Sequence, residues 1–425
     1  MATHHMFQHQ AFWKVVAALL VVCILVQQFG FSESPWPQHV ASEFSGDTPK
    51  HKPPPSWRWH FDFRRDHNNY GLSDEQCDEA FPELYHEIDR AARQWRGRNI
   101  TSESLELYGK NEAGVRVMLV DQQLRVLSTK GMHRQDFRQR ILAVLHQIQR
   151  AITSVSGGVY PFDDMEFTIV VDDFVTLSPE RNLALWSFAR ETANARQSDI
   201  WLIPDFNFWS APPVAGSFSD MQARARAQDS PIADKIQKLL WRGVKWTAPK
   251  LRGALIDATA GRPWADVAAM DWRDPGKVVR LEDHCQYAYL VNTEGRSWSS
   301  RLLYILNCDS VPILHDMRWT AHYYHLLNGH DAEKANYVPV DREFSDLEAK
   351  ISDLLDDPSH AQAIADNARQ LFRERYTTPA ATACYWRRLL RQWSSVAFTP
   401  EEYEEVAIDA HGGKRMRGVA LEEFL

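Results

Sequence analysis

Apolar residues run unbroken from Tyr287 to Val291, the length and composition of a buried strand, and the turn Thr293-Glu294-Gly295 separates them from a second apolar segment, Trp298 to Leu306. A further short run, Val311 to Leu314, reads as the next strand. The stretch therefore predicts a β-α-β unit, a parallel pair with a right-handed crossover. Upstream, Trp57, Trp59, Phe61 and Phe63 alternate as in a half-buried strand or extended arm, and Ser73 to Trp95 has helical spacing. Val115 to Leu119 and Gln123 to Leu127 predict a hairpin around Asp121. Arg134 to Ile152 predicts an amphipathic helix with Phe137, Ile141, Val144, Leu145 and Ile148 on one face.

Two buried strands then end in acids. The run Asp164 to Asp173 finishes in Asp172-Asp173, and Asp199 to Ile203 leads into Pro204-Asp205-Phe206-Asn207-Phe208-Trp209. Lys238 to Val244 opens a second α/β region, with Thr247 as the expected cap of a helix at Ala248-Pro249. Tyr337 to Val340 reads as a strand and Ser345 to Glu348 as a cap and first turn. Ser345 to Leu355, His360 to Phe372 and Ala380 to Val396 read as helices. The charged, glycine-bearing end from Pro400 to Leu425 predicts poor order.

One apolar segment changes the class of protein expected. Ala11 to Phe31 is long enough to cross a bilayer and lacks a small-x-small cleavage site after its core, which favours an uncleaved signal anchor over a removed signal peptide. Residues 1–10 would then be a cytosolic tail, 32–56, with its prolines, an extended stem, and the rest would face the lumen of the Golgi or endoplasmic reticulum. Asn99-Ile100-Thr101 is a glycosylation sequon that fits that side. Four cysteines beyond the anchor fit it too. Cys285 opens a strand and Cys308 closes the helix running back beside it, which favours that pair and leaves Cys77 for Cys384; free buried thiols are the alternative. The chain of 425 residues, with sixteen tryptophans, is long enough for two cores, and its net charge of −8 excludes a typical nucleic-acid binder.

Candidate chemistry clusters after the strand ending at Val291. Gly295, Arg296, Ser297, Ser299, Ser300 and Arg301 supply backbone N–H groups, hydroxyls and guanidinium groups, as a diphosphate needs, although an N-cap serine and solvated arginines are the plain alternative. Acids beside aromatics at the strand ends, Asp205 with Phe208 and Trp209, suit a sugar, since rings stack on pyranose faces and carboxylates bind hydroxyls. The histidines show no metal-ligand spacing; His322 and His325 read as surface or satisfied core.

His284-Cys285-x-Tyr287-x-Tyr289-Leu290, followed by Asn292, Gly295, Ser299, Arg301 and Cys308, resembles the signature of glycosyltransferase family 90, which includes the animal protein O-glucosyltransferases. The resemblance extends to Trp241-Arg242-Gly243, Trp319, Tyr337 to Val340, Cys384-Tyr385-Trp386, Asp164 to Asp173 and Phe208-Trp209. It implies a GT-B fold of two Rossmann-like domains facing across a cleft: 57–235 for the acceptor, 236–378 for the nucleotide sugar, then a helix at 379–398 and a tail at 399–425. It implies inverting transfer of glucose or xylose from UDP-glucose or UDP-xylose to a glycan or glycoprotein, with no metal cofactor. Asp173 is the implied base, ahead of Asp172 and Asp205. Arg301 is the implied diphosphate clamp, with Arg242, Gly243, Lys245, Thr247, Arg252 and the Gly295 to Ser300 loop, Trp298 included, around it. Asp205, Phe208 and Trp209 are the expected acceptor residues, and the same two disulfides are implied. The chain departs from the family at Val175, at Val244 to Thr247, which carries an apparent insertion, and at Trp298. A catalytically silent, glycan-binding or scaffold relative is the alternative, and cleavage to a secreted form would change only the location.

Overall fold

Pro82 divides the first helical stretch. In the computed structural model, which describes residues 59–424 apart from 108, 155–161, 213–214, 272, 275–277 and 409–410, α1 (Asp74–Ala80) and α2 (His86–Trp95) replace the single helix expected. Phe81 precedes the proline, a position that disfavours helical backbone, and takes φ −134° and ψ 54°. The anchor, stem and cytosolic tail expected over 1–56, and Trp57, lie outside the described residues. Among the described residues no helix is long and apolar enough to cross a membrane.

The first sheet grows from the predicted hairpin. β1 (Gly114–Val120) and β2 (Gln123–Lys130) are joined by Asp121 and Gln122 at φ 48° and 65°. Positive φ at both central residues is a type I′ turn, whose twist matches the strands it connects. α3 (Gln135–Thr153) buries the five apolar residues that mark its stripe. β3 (Met165–Val170) pairs antiparallel with β1, and β4 (Leu185–Ser187) and β5 (Trp201–Leu202) follow in parallel. This sheet is therefore mixed, where a Rossmann-like sheet was expected: a two-residue turn joins only antiparallel neighbours.

The second sheet is wholly parallel. β6 (Ile236–Gly243), β7 (Ala265–Ala269), β8 (Tyr287–Asn292), β9 (Val311–His315) and β10 (Val338–Val340) stand in the order β7-β6-β8-β9-β10. The order reverses between β6 and β8, and at such a point a parallel sheet opens a crevice beyond its carboxyl ends. α4 (Pro249–Thr259) follows β6, but Ala248 takes the cap position expected for Thr247. The helix expected from Trp298 to Leu306 contracts to α5 (Arg301–Ile305), because Trp298 instead packs against Phe188, ring centroids 5.5 Å apart. α6 (Leu347–Asp356) and α7 (Pro358–Ala368) complete the covering of this sheet; Asp346, not Ser345, holds the α6 cap position.

α8 (Pro379–Ser394) returns to the first sheet. Its Trp393 stands edge-on to Trp186 and Trp201, each 5.3 Å away, and donates Nε1–H to the Glu166 carbonyl at 3.0 Å. The last segment is ordered where poor order was expected. β11 (Val419–Ala420) pairs with β2, and Arg125 donates to the Arg417 and Gly418 carbonyls at 2.8 Å each. Arg417 reaches the buried Glu166 carboxylate at 3.1 Å, so an edge strand is covered and a buried charge is paired.

Both expected disulfides are present. Cys285–Cys308 spans 23 positions with Cα atoms 4.9 Å apart, and Cys77–Cys384 spans 307 with Cα atoms 5.7 Å apart. Closing the longer loop restricts the unfolded chain more. Replacing Cys77 and Cys384 together by serine is therefore expected to lower stability by about 2–5 kcal/mol, and by more than the Cys285/Cys308 pair does. Denaturant midpoints of the two double variants check this; a larger shift from the short loop would contradict it.

Candidate functional site

The carboxyl ends of β6 and β8 face the first turns of α3 across a cleft of about 930 Å³. Its second-sheet wall is a braced loop. Thr293 accepts from Trp241 Nε1 at 3.0 Å, and the Glu294 N–H donates to His315 Nε2 at 3.1 Å. The Glu294 carboxylate, 3% exposed, accepts from the N–H groups of Arg318 and Trp319 at 2.7 and 2.8 Å and from Arg342 at 2.9 Å. Arg252 donates to the carbonyls of Glu294 (3.1 Å) and Val244 (2.6 Å) and to Thr247 Oγ1, tying the turn after β6 to the loop after β8. Arg252 thus spends Nε and Nη1 on the frame while itself lining the cleft, and burial pushes it down to about 10. At the other end of the loop Ser297 Oγ donates to the Asp173 carbonyl, fastening it to the end of the first sheet.

Arg301 and Arg242 line this wall together with Arg252 and Arg280. Among the described residues Arg301 Nη1 is buried without a partner, and burial, with Arg252 nearby, pushes the guanidinium down to about 9. Arg242 pairs with Asp266 at 2.6 Å, and its Nε has no partner among the described residues. Gly243 makes room for them: a Cβ there would stand 2.7 Å from the Trp241 ring and 2.9 Å from Arg301 Nη2. Gly243→Ala is therefore expected to shift Arg301 and lower any activity that depends on this cation by about tenfold or more, since small misplacements at a reacting centre are expensive. Unchanged activity would show that Arg301 tolerates the shift.

Three carboxylates are candidates for the base, and none of them is among the residues lining the cleft, where the acid is Asp136. Asp172 is 5% exposed and accepts from the N–H groups of Glu112 (3.3 Å) and Asp173 (2.7 Å). Asp205, 3% exposed, accepts from the Asn207 backbone and side chain at 2.7 Å each; burial raises its pKa, with Asn207 opposing. Both are caps. The Asp173 side chain is 32% exposed, lies 2.9 Å from Arg140 and 3.9 Å from Arg296, and is the one acid of the three open to a ligand.

The remaining expected residues scatter. Ser299 and Ser300 line the cleft, whereas Lys245 is exposed and near Gly253. Arg296 lies over the Phe174 ring at 5.1 Å, and Gly295 lies against Arg252. Phe208 is core, packed on Phe218, His322 and Tyr323, and Trp209 stacks on His146; neither lines the cleft. Phe206 does, with Arg140 at 4.8 Å over its ring, as do Asp136, Gln139 and His284. The signal for α3 was present in Asp136, Gln139 and Arg140, a polar face at three- and four-residue spacing. His322 is core, 3% exposed and packed edge-on against Phe208, Tyr323 and Tyr385. Asn99 is exposed, as a glycosylation sequon requires.

A family model described as Glycosyl transferase family 90 matches residues 74–412. An O-glucosyltransferase rumi homolog of Aedes aegypti is 30% identical over 146 residues, 33% of this chain and 35% of that protein. Protein O-glucosyltransferase 2 of Danio rerio is 30% identical over 123 residues, 29% of this chain and 24% of that protein. The matched stretch thus spans about a third or less of these relatives. Among solved structures, Anabaena Alr3699/HepE in complex with UDP and glucose aligns at TM-score 0.26 and 12% identity over 44% of this chain and 54% of that one. The C-terminal domain of a Francisella tularensis glycosyl transferase group 1 family protein (LpcC) aligns at TM-score 0.26 and 13% identity over 40% of this chain and 96% of that one.

Proposed function

Because the chain belongs to glycosyl transferase family 90, we propose that it is an inverting, UDP-sugar-dependent glycosyltransferase that moves glucose or xylose to a hydroxyl of a glycan or protein. One observation carries the reading: an open carboxylate, Asp173, stands at the end of one sheet, fastened through Ser297 to the loop that leads to Arg301 in the cleft wall, whose Nη1 lacks a partner among the described residues. Relatives named O-glucosyltransferases favour glucose.

In the proposed reaction the acceptor hydroxyl gives its proton to the Asp173 carboxylate as its oxygen forms a bond to the anomeric carbon. The bond from that carbon to the β-phosphate oxygen breaks on the opposite face, and UDP leaves with the electron pair. Arg301 and Arg242 take up the charge that develops on the diphosphate, with Ser299 and Ser300 beside them; no metal is invoked. The mixed sheet would form the acceptor side and the parallel sheet the donor side of a GT-B-type enzyme. Membrane attachment through residues 11–31, with the catalytic part in the Golgi or endoplasmic reticulum lumen, belongs to the same proposal.

UDP release by the full chain, measured against a panel of nucleotide sugars with water, simple glycosides or peptides as acceptors, tests the reading. Release from UDP-glucose or UDP-xylose, with a product of inverted anomeric configuration, is the expected result. Failure to bind UDP would overturn it. UDP binding without turnover on any sugar or acceptor would favour a silent, glycan-binding relative.

A further inference from the structure

Among the described residues, three buried side-chain atoms on the cleft wall have no hydrogen-bond partner: Arg242 Nε, Arg301 Nη1 and His284 Nε2. Such orphans oppose folding; others occur away from the cleft, at Trp186, Trp201 and Arg388 for example, and what sets these three apart is that they converge on one cleft wall. The two arginine atoms are donors, which a diphosphate satisfies. The imidazole requires something else.

His284 is 3% exposed and stands in the short turn before β8, beside the disulfide-bonded Cys285, so the ring has little freedom to turn away. Burial first, then Arg301 and Arg242, hold it neutral with a pKa pushed down to about 3, while the Val279 carbonyl pulls the other way. A carbonyl only accepts, so the nitrogen facing Val279 carries the proton. Nε2 is the nitrogen without a partner, so the proton is on Nδ1 and Nε2 presents a bare lone pair. A diphosphate has no proton to give it at neutral pH. A hydroxyl has.

We propose that His284 is a further donor-binding residue, whose Nε2 accepts a hydrogen bond from a hydroxyl of the nucleotide sugar that lies beside the diphosphate, on the ribose or on the transferred sugar. The inference rests on the donor site proposed above. It gives that site a means of selection the arginines lack, because they hold any diphosphate equally. A pocket built to hydrogen-bond a hydroxyl rejects an analogue without it far more strongly than an apolar pocket rejects an extra group. Glucose and xylose share their ring hydroxyls and differ in the hydroxymethyl group, so the identity of the hydroxyl also bears on the choice between them.

The test follows the His284 ring in the full chain labelled with ¹⁵N-histidine, its signals assigned by comparison with His284→Gln. The free protein is expected to show the neutral Nδ1–H tautomer from pH 5 to 8. UDP, 2′-deoxy-UDP, UDP-glucose and UDP-xylose are then added in turn, with binding measured by calorimetry. An upfield shift of Nε2 with UDP that is absent with 2′-deoxy-UDP assigns the ribose. A shift only with the two nucleotide sugars assigns a ring hydroxyl, and a shift only with UDP-glucose assigns the hydroxymethyl. His284→Leu should weaken binding of the responding donor about tenfold, while His284→Gln, whose amide oxygen also accepts, keeps most of it. Bound donors that leave the His284 signals unmoved, or that convert the ring to imidazolium, overturn the proposal and leave the donor site standing. Absence of UDP binding overturns both.

Discussion

Asp173→Asn is expected to lower transfer from the UDP-sugar by about 10²–10⁴-fold, the usual contribution of a positioned base, while leaving UDP affinity unchanged. The substitution keeps size and shape and removes the negative charge, and with it the capacity to hold the acceptor's proton. The contact that fastens the donor loop is made to the Asp173 carbonyl, not its side chain, and so survives. Arg140 loses a charged partner but keeps its bond to the Val171 carbonyl at 3.0 Å. The loss should therefore fall on kcat, with KM for the donor nearly constant. Asp205→Asn makes the contrast: one carboxylate oxygen accepts from both the Asn207 backbone and side chain, a task an amide oxygen also performs, so activity should stay near that of the parent. If Asp205→Asn proved the inactive variant and Asp173→Asn the active one, the base would be misassigned.

The difference among these acids was only half visible beforehand. Asp172, Asp173 and Asp205 all follow buried apolar runs, and pattern alone cannot say which side chain turns inward onto a backbone N–H. The aromatic residues show the same limit. Phe206 and Phe208 lie two positions apart in one turn, and the expectation fell on Phe208, but the turn delivers Phe208 to Phe218, His322 and Tyr323 and leaves Phe206 at the cleft. Arg252, expected as a phosphate ligand, does line the cleft, but its Nε and Nη1 also hold carbonyls from two connections that only the folded sheet brings together.

What was readable had local causes. The β1–β2 hairpin, the α3 stripe and the β8-α5-β9 unit each follow from a period or a run contained within a short window. The cysteine pairs could be reached because a strand and a returning helix bring Cys285 to Cys308 and leave one partner each for Cys77 and Cys384. Pro82 was a local signal too, and the expected long helix ran through it against the restriction a proline places on its predecessor. The ordering of the final segment had no such cause, since β11 exists only because the distant β2 offers an edge.

Arg301→Lys is expected to reduce kcat by about 10²–10³-fold at pH 8, the range seen when one group stabilising a developing anion is removed, and to recover partly as the pH falls. Lysine preserves a cation but not the planar fork that binds two phosphate oxygens at once. The pH dependence follows from the surroundings. Burial and Arg252 push Arg301 from 12.5 down to about 9. A cation with a depressed pKa is charged below that value and neutral above it, so the parent enzyme keeps this stabilisation through neutral pH and loses it only as the pH rises through about 9. An ammonium group starting near ~10.4 and pressed down equally would lose its proton around ~7. A bound diphosphate raises both values without reversing their order. The ratio of variant to parent kcat, measured from pH 6 to pH 8.5, should therefore fall as the pH rises. A ratio that stays flat, or rises, would mean that Arg301 does not face the diphosphate from a desolvated wall, and the leaving-group role would pass to Arg242.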